Sequence, residues 1–416
     1  MASLPSLEGV YEAVSRLTGV IRKTPWEYNE RLSEETSASV FFKREDLQQI
    51  RSFKIRGAYN KISSLTPAQR AGGIICASAG NHAQGVAFSC KKLQIHGDIY
   101  MPATTPQQKV SQVRMFGEHY IHIILIGDTY DACQKEALKH AQKEKKVFIH
   151  PFDDKEVIEG QGTLALEILE NSESPIDYLF VPIGGGGLVS GILTVFQALS
   201  PQTKIIGVEP EGAPSMQKSL AEGKRVLLKT MDRFVDGAAV RQVGVLPFEI
   251  CKSGLTEVVR VHEGKICQTI LDLYNKEGIV AEPAGALAIA AVDLYKEKLK
   301  GKRVVGLLCG GNNDIIRMPE ISERALLYAN LKHYFLIDFP QRAGALKEFV
   351  TEILGPNDDI THFEFSKKSF RTNAPAVIGI QLKDAKDLAG LVERMKIHNF
   401  QFDYLNNKEN LFQFVI

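Results

Sequence analysis

Between residues 51 and 152 the chain alternates short, wholly apolar runs with longer stretches of helical period. "GGIICAS" (72–78) predicts a strand and "HAQGVAFSCKKL" (82–93) a helix. "GDIYMP" (97–102) is followed by "PQQKVSQVRMFG" (106–117), and "YIHIILIG" (120–127) by "TYDACQKEALKHAQKEKK" (129–146), with "VFIHPF" (147–152) predicted as a closing strand. Strands that are apolar throughout, separated by helices, predict parallel pairing with helices on both faces. The same alternation returns in "YLFVPI" (178–183), "KIIGVEP" (204–210) and "RVVGLLC" (303–309). The expected body, residues 1–325, is α/β with parallel-rich sheets in two lobes. A smaller lobe of about residues 51–150 is inserted in the larger one, with a cleft between them.

Beyond "RALLYANLK" the period changes. "HYFLIDF" (333–339) predicts a strand, "AGALKEFVTEILG" (343–355) an amphipathic helix, and "DITHFEFS" (359–366) and "APAVIGIQL" (374–382) two strands. A helix "AKDLAGLVERMKIH" (385–398) and the strands "FQFDYL" (400–405) and "LFQFVI" (411–416) complete a β-α-β-β-α-β order over residues 330–416. That is a ferredoxin-like α+β unit. Without a reactive centre of its own, it fits a sensor or assembly module better than a second enzyme.

Composition narrows the class by exclusion. The 416 residues carry 50 basic and 49 acidic side chains, so no global field attracts nucleic acid or an anionic membrane. Six cysteines without a C-x-x-C pair speak against a structural zinc site and a disulfide scaffold. No apolar run reaches membrane-spanning length and the N-terminal residues lack a secretory succession, so the expected compartment is the cytosol.

Four polar or Gly-rich turns follow predicted strands. In "VPIGGGGLVSG", Gly184, Gly185, Gly186 and Gly187 join a strand to a helix beginning near Leu188. Successive glycines let backbone N–H groups converge at a helix N-terminus, which suits a phosphate. A plain strand-to-helix turn needs one or two glycines, not four. The spacing fits neither the dinucleotide fingerprint, which requires glycine where Val189 or Ser190 stands, nor a nucleoside-triphosphate loop, where Lys would replace Ile192. In "SAGNHAQG", Ser78, Asn81 and His82 present donors at a helix start, suited to a small anion or to an ordinary N-cap. In "LLCGGNND", Cys309 ends a strand where α/β sheets bind ligands, although a lone cysteine is more often packing. In "RSFKIRGAYNK", Lys54 beside Phe53 stands at a helix start, where lost hydration and the helix dipole both lower its pKa. Such a lysine can form a Schiff base with a carbonyl. Arg56 and Lys61 in the same stretch read as structural. A phosphate nest, a carboxylate site and a nucleophilic lysine together call for pyridoxal 5′-phosphate.

"SFKIRGA", "SAGNHAQG", "GGGGL" and "CGGNND" closely resemble the threonine dehydratase group of fold-type-II pyridoxal-phosphate enzymes, whose fold is that of tryptophan synthase β. "DFPQRAGALKEF" is similar to the ACT-like regulatory domain of the biosynthetic members, here in one copy. The resemblance implies that Lys54 carries the cofactor and acts as the base at Cα, that Phe53 flanks the ring, and that Asn81 bonds the 3′-oxygen. It implies further that residues 184–188 hold the phosphate, that Cys309 faces the pyridine nitrogen, and that Ser78, Asn81 and His82 surround the substrate carboxylate, mostly through backbone N–H groups. A thiol leaves that nitrogen largely unprotonated, which favours loss of a β-substituent over transamination. The implied reaction converts L-threonine to 2-oxobutanoate and ammonia, the first step of isoleucine biosynthesis.

Serine dehydration or racemisation on the same scaffold is the nearest alternative, and a non-catalytic amino-acid sensor a more distant one. Racemases of the family carry a serine before Gly-Asn-His, where this chain has Ala79. Some relatives bind a divalent cation after "GVEP"; Glu209 is available here, but Ser215 stands where an aspartate is expected, so no metal site is assigned. Isoleucine, opposed by valine, is the expected effector at the ACT-like domain, in a homodimer or homotetramer.

Overall fold

The computed structural model describes residues 3–367 and 371–408. The chain divides into two compact units, Met1–Asp314 and Ile315–Ile416.

The first unit contains two sheets. The strands are β1 (Trp26–Tyr28), β2 (Ser39–Arg44), β3 (Ile74–Ala77), β4 (Gly97–Met101), β5 (Ile121–Leu125), β6 (Val147–Phe148), β7 (Tyr178–Pro182), β8 (Lys204–Pro210), β9 (Glu257–Val261) and β10 (Arg303–Leu308). The smaller sheet, ordered β5-β4-β3-β6, is parallel throughout. The larger, β1-β2-β10-β7-β8-β9, is parallel except where β1 meets β2. β3 and β7 are buried at every position, as their uninterrupted apolar runs require of strands covered on both faces. Each lobe has its own core. Ile74, Cys76, Val86, Ile99 and Val113 fill the smaller one. Leu179, Val181, Val189, Phe196, Val305 and Cys309 belong to the larger.

Helix Lys54–Ser64 packs on helix Asn81–Leu93 of the smaller lobe and on helix Lys155–Asn171 of the larger. Close approach is possible because small residues meet there. A Cβ on Gly57 would lie 2.6 Å from the Val157 carbonyl oxygen, and one on Gly160 2.6 Å from that of Arg56. The strand predicted to run to Phe152 stops at Phe148. Pro151 has no N–H to give a ladder, and the carbonyls of Ile149 and Pro151 accept from side chains elsewhere.

In the second unit, helix Met318–Tyr328 precedes β11 (Lys332–Pro340), β12 (Asp359–Phe365), β13 (Asn373–Gln381) and β14 (Phe402–Tyr404), which form an antiparallel sheet ordered β12-β13-β11-β14. Phe335, Ile337, Phe349, Ile378, Leu391 and Met395 fill its core, joining the sheet to the segments 345–353 and 387–397. The β-α-β-β-α-β order is therefore present through β14. The predicted single helix at 343–355 is instead one α-turn, Ala345–Glu348, widening into a π-turn, Phe349–Ile353. Both Phe349 and Ile353 are fully buried. The strand predicted at 411–416 lies outside the described residues. Among those described, no helix is long and apolar enough to cross a membrane.

Candidate active site

Lys54 is the first residue of its helix. The preceding turn is fastened to the end of β10: Phe53 N–H donates to the Cys309 carbonyl at 3.4 Å, Gly311 N–H to the Arg51 carbonyl at 2.9 Å, and Ser52 bridges Gly310. Two segments some 250 residues apart thus place the lysine beside the cysteine. Among the described residues, the ammonium meets no carboxylate. Nζ donates to the Pro151 carbonyl at 2.9 Å and lies 5.4 Å from the centre of the Phe53 ring. Burial lowers its pKa from 10.5 to about 8. At pH 7 about a tenth of such lysines are neutral, roughly 300-fold more than at the ordinary value.

The glycine turn lies at the carboxyl end of β7. Gly186 has φ +94°, and a Cβ there would come within 2.6 Å of Pro247. A Cβ on Gly185 would sit 2.2 Å from the Phe152 ring. Only glycine fits a turn pressed this closely. Among the described residues, no protein acceptor meets the N–H groups of Gly184, Gly185, Gly186, Gly187 or Leu188. Five such donors at a helix N-terminus suit a phosphate dianion.

Helix Asn81–Leu93 begins at the carboxyl end of β3. Ser78 is partly committed: its N–H donates to the Tyr100 carbonyl at 3.0 Å, and its hydroxyl accepts from Gly80 N–H at 3.3 Å. The His82 ring turns away, with Nε2 3.0 Å from the Ile149 carbonyl. Burial, with the Lys54 charge nearby, lowers its pKa to about 3, so it is neutral. Backbone donors remain for an anion: among the described residues, the N–H groups of Asn81, His82 and Ala83 meet no protein acceptor.

Asn81 is held from both ends of its amide. Nδ2 donates to Glu282 Oε1 at 2.5 Å, and Oδ1 accepts from Asn312 Nδ2 at 2.7 Å. Among the described residues, the other amide hydrogen meets no protein acceptor. The Cys309 thiol is buried, and burial together with the carboxylates of Glu45, Glu282 and Asp46 raises its pKa well above 9.0, so it stays S–H. Glu209 caps helix Ser215–Glu222 through the N–H groups of Met216 (2.7 Å) and Gln217 (2.9 Å).

Lys54, Phe53, Cys309 and the Asn81 turn therefore meet at the carboxyl ends of both sheets. Residues 149–153 tie them to the glycine turn: Ile149 holds His82, Pro151 holds Lys54, and Phe152 packs on Gly185 and Gly187. Neither this segment nor Glu282 is singled out by the sequence motifs. Asn312 lies within "CGGNND", but its partnership with Asn81 spans 231 residues.

Residues 17–310 match the model of the pyridoxal-phosphate dependent enzyme family, and residues 323–415 that of the C-terminal regulatory domain of threonine dehydratase. The L-threonine dehydratase biosynthetic IlvA of Halalkalibacterium halodurans is 53% identical over 410 residues, 99% of each chain. Among solved structures, the processed threonine deaminase isoform 2 of Solanum lycopersicum is 39% identical, with TM-score 0.72 over 78% of this chain and 96% of that one. Maize serine racemase is 30% identical, with TM-score 0.72 over 78% of this chain and 99% of that one. The glycine turn, the desolvated lysine and the regulatory unit agree with these likenesses. The chain belongs to the threonine dehydratase family of pyridoxal-phosphate dependent enzymes.

Proposed function

We propose that this chain dehydrates and deaminates L-threonine to 2-oxobutanoate and ammonia, with Lys54 as both the attachment point of pyridoxal phosphate and the base. The observation that carries the assignment is an enclosed lysine whose amine is paired with a carbonyl rather than a carboxylate. A carbonyl leaves the neutral amine accessible, whereas a carboxylate would hold it charged. Held in this site, the cofactor supplies an aldehyde for the amino group and a conjugated ring that takes up electron density as the Cα proton leaves.

The protein supplies the remainder. Backbone N–H groups of residues 184–188 fix the phosphate, and those of Asn81, His82 and Ala83 orient the substrate carboxylate. Phe53, whose ring centre lies 5.4 Å from Lys54 Nζ, would flank the cofactor ring. Cys309 Sγ keeps its proton; were the pyridine nitrogen to lie against it, the thiol would deliver no full charge there, which would favour release of the β-hydroxyl. Lys54 Nζ, as a neutral amine, would be the base that takes the Cα proton. Racemisation needs a second proton carrier on the opposite face; where the family's racemases carry a serine before Gly-Asn-His, this chain has Ala79, whose methyl group cannot move a proton. The second unit is the expected isoleucine sensor, with valine opposing, and its single copy suits an effector site shared between subunits of a dimer or tetramer.

Release of ammonia and 2-oxobutanoate should be measured with L-threonine and L-serine, each with and without isoleucine. Threonine is expected to be the better substrate, with isoleucine inhibiting. Turnover of serine alone would overturn the substrate assignment, and isoleucine insensitivity would overturn the sensor assignment.

A further inference from the structure

Glu282 occupies the N-cap of helix Pro283–Leu294, but its side chain makes no capping bond. Serine, threonine, aspartate or asparagine would serve that position better. The carboxylate turns instead into the site, where Oε1 takes Asn81 Nδ2 at 2.5 Å. The surroundings are built to admit it. Glu282 N–H donates to the Gly310 carbonyl at 3.1 Å, and a Cβ on Gly310 would lie 2.1 Å from Glu282 Oε1. Any residue but glycine at 310 would displace the carboxylate. Gly237 approaches from a third segment, its Cβ position 4.0 Å from the same oxygen.

The charged and titratable groups facing Glu282 come from three other elements. Asp236 stands beside Gly237 and pairs with Lys109, which reaches over from helix Gln107–Gly117 of the smaller lobe. The Cys309 thiol is the third. Burial first, and then the repulsion of Asp236, raise the Glu282 pKa to about 7, against lowering contributions from Asn81, Lys109 and the Asn312 backbone. A carboxyl placed so exchanges its proton within the physiological range, and does so 2.5 Å from the amide assigned to the cofactor.

We infer that Glu282 is a positioning residue that orients the Asn81 amide toward the 3′-oxygen of pyridoxal phosphate and, through its own charge, sets the pH at which the bound cofactor gives up its proton. This rests on the proposed cofactor site. Asn312 fixes the amide so that Oδ1 cannot rotate toward the cofactor, Glu282 takes one of the two hydrogens, and the second is directed outward. An ionised Glu282 opposes loss of a proton from the nearby cofactor–lysine linkage, holding that transition at higher pH. Protonated, it does not.

The test is a pH titration of the visible absorbance of the bound cofactor, paired with fluorescence titration of the apo protein with pyridoxal phosphate. Glu282→Gln keeps an acceptor for Asn81 but no charge. It should bind the cofactor nearly as wild type does, while its spectral transition moves about one pH unit downward. Glu282→Ala removes the acceptor and should weaken cofactor binding about tenfold. Asp236→Asn, a change at a partly exposed side chain, provides a third arm that leaves Glu282 in place. Losing the facing anion lowers the Glu282 pKa, so the pH range over which Glu282 changes the bound cofactor's absorbance should move down. A wild-type spectral titration in both Glu282→Gln and Asp236→Asn overturns this inference alone. A wild-type protein that takes up no pyridoxal phosphate overturns the cofactor site and this inference with it.

Discussion

Replacing Lys54 by alanine is expected to reduce threonine turnover at least about 10³-fold and to abolish the visible absorbance of covalently held cofactor. One side chain performs both tasks, so both readouts fall together. The fold should survive, because the ammonium bonds to the Pro151 carbonyl and, among the described residues, to no carboxylate, so its removal strands no charge. Pyridoxal phosphate should still enter, held by the donors of residues 184–188, but as a free aldehyde. The spectrum separates this loss from unfolding, and chemical denaturation of the two proteins should coincide. A Lys54→Ala protein with wild-type turnover would sink the assignment.

Arg56 stands two residues further along the helix and is expected to govern stability. It is fully buried, and its guanidinium grips Glu45 through two bonds of 2.9 and 2.8 Å. A third bond of 2.7 Å reaches Glu167, which also takes Lys43 at 2.7 Å. Two cations and two anions thus balance inside the protein, across helix Lys54–Ser64, helix Lys155–Asn171 and β2. Arg56→Leu leaves two buried carboxylates facing one lysine and should cost about 3–5 kcal/mol by chemical denaturation. Arg56→Lys keeps the charge but not the two-pronged geometry, so a smaller loss is expected. Burial pushes the Glu167 pKa up, but Arg56 and Lys43 outweigh it and hold the carboxyl below 4.5. The stability from that pairing is therefore present above pH 4.5 and is lost as pH falls through the lowered value. An Arg56→Leu protein as stable as wild type would show that the network contributes nothing net.

The loops that carry the chemistry were legible because each demand is local. Four glycines in a row, Asn81 after a strand, and Lys54 at a helix start all state their geometry within a dozen residues. The alternation of apolar runs and helical periods likewise exposed the parallel sheets. Contacts made at long range were not legible. Nothing near Glu282 announces that its partner is Asn81, 201 residues away, and the Lys54–Pro151 bond spans 97 residues. "VFIHPF" resembles a strand because its side chains do, but its carbonyls serve His82 and Lys54 instead of a neighbouring strand. His82 was read as a donor for substrate from its place at a helix start. The residue is only 3% exposed, and ring Nε2 lies against the Ile149 carbonyl, a partner 67 residues away that its place at a helix start does not announce. The π-turn at Phe349–Ile353 had no signal in the periodicity, since one extra residue per turn still leaves Phe349 and Ile353 on the buried side.

The most direct test of Lys54 as the covalent carrier is chemical. Borohydride reduction of the cofactor-loaded enzyme fixes the cofactor to its amine, and peptide mapping by mass then locates it. A pyridoxyl phosphate mass on Lys54, in the peptide containing "SFKIR", is the expected result. The same mass on any other lysine, or on none, would contradict it.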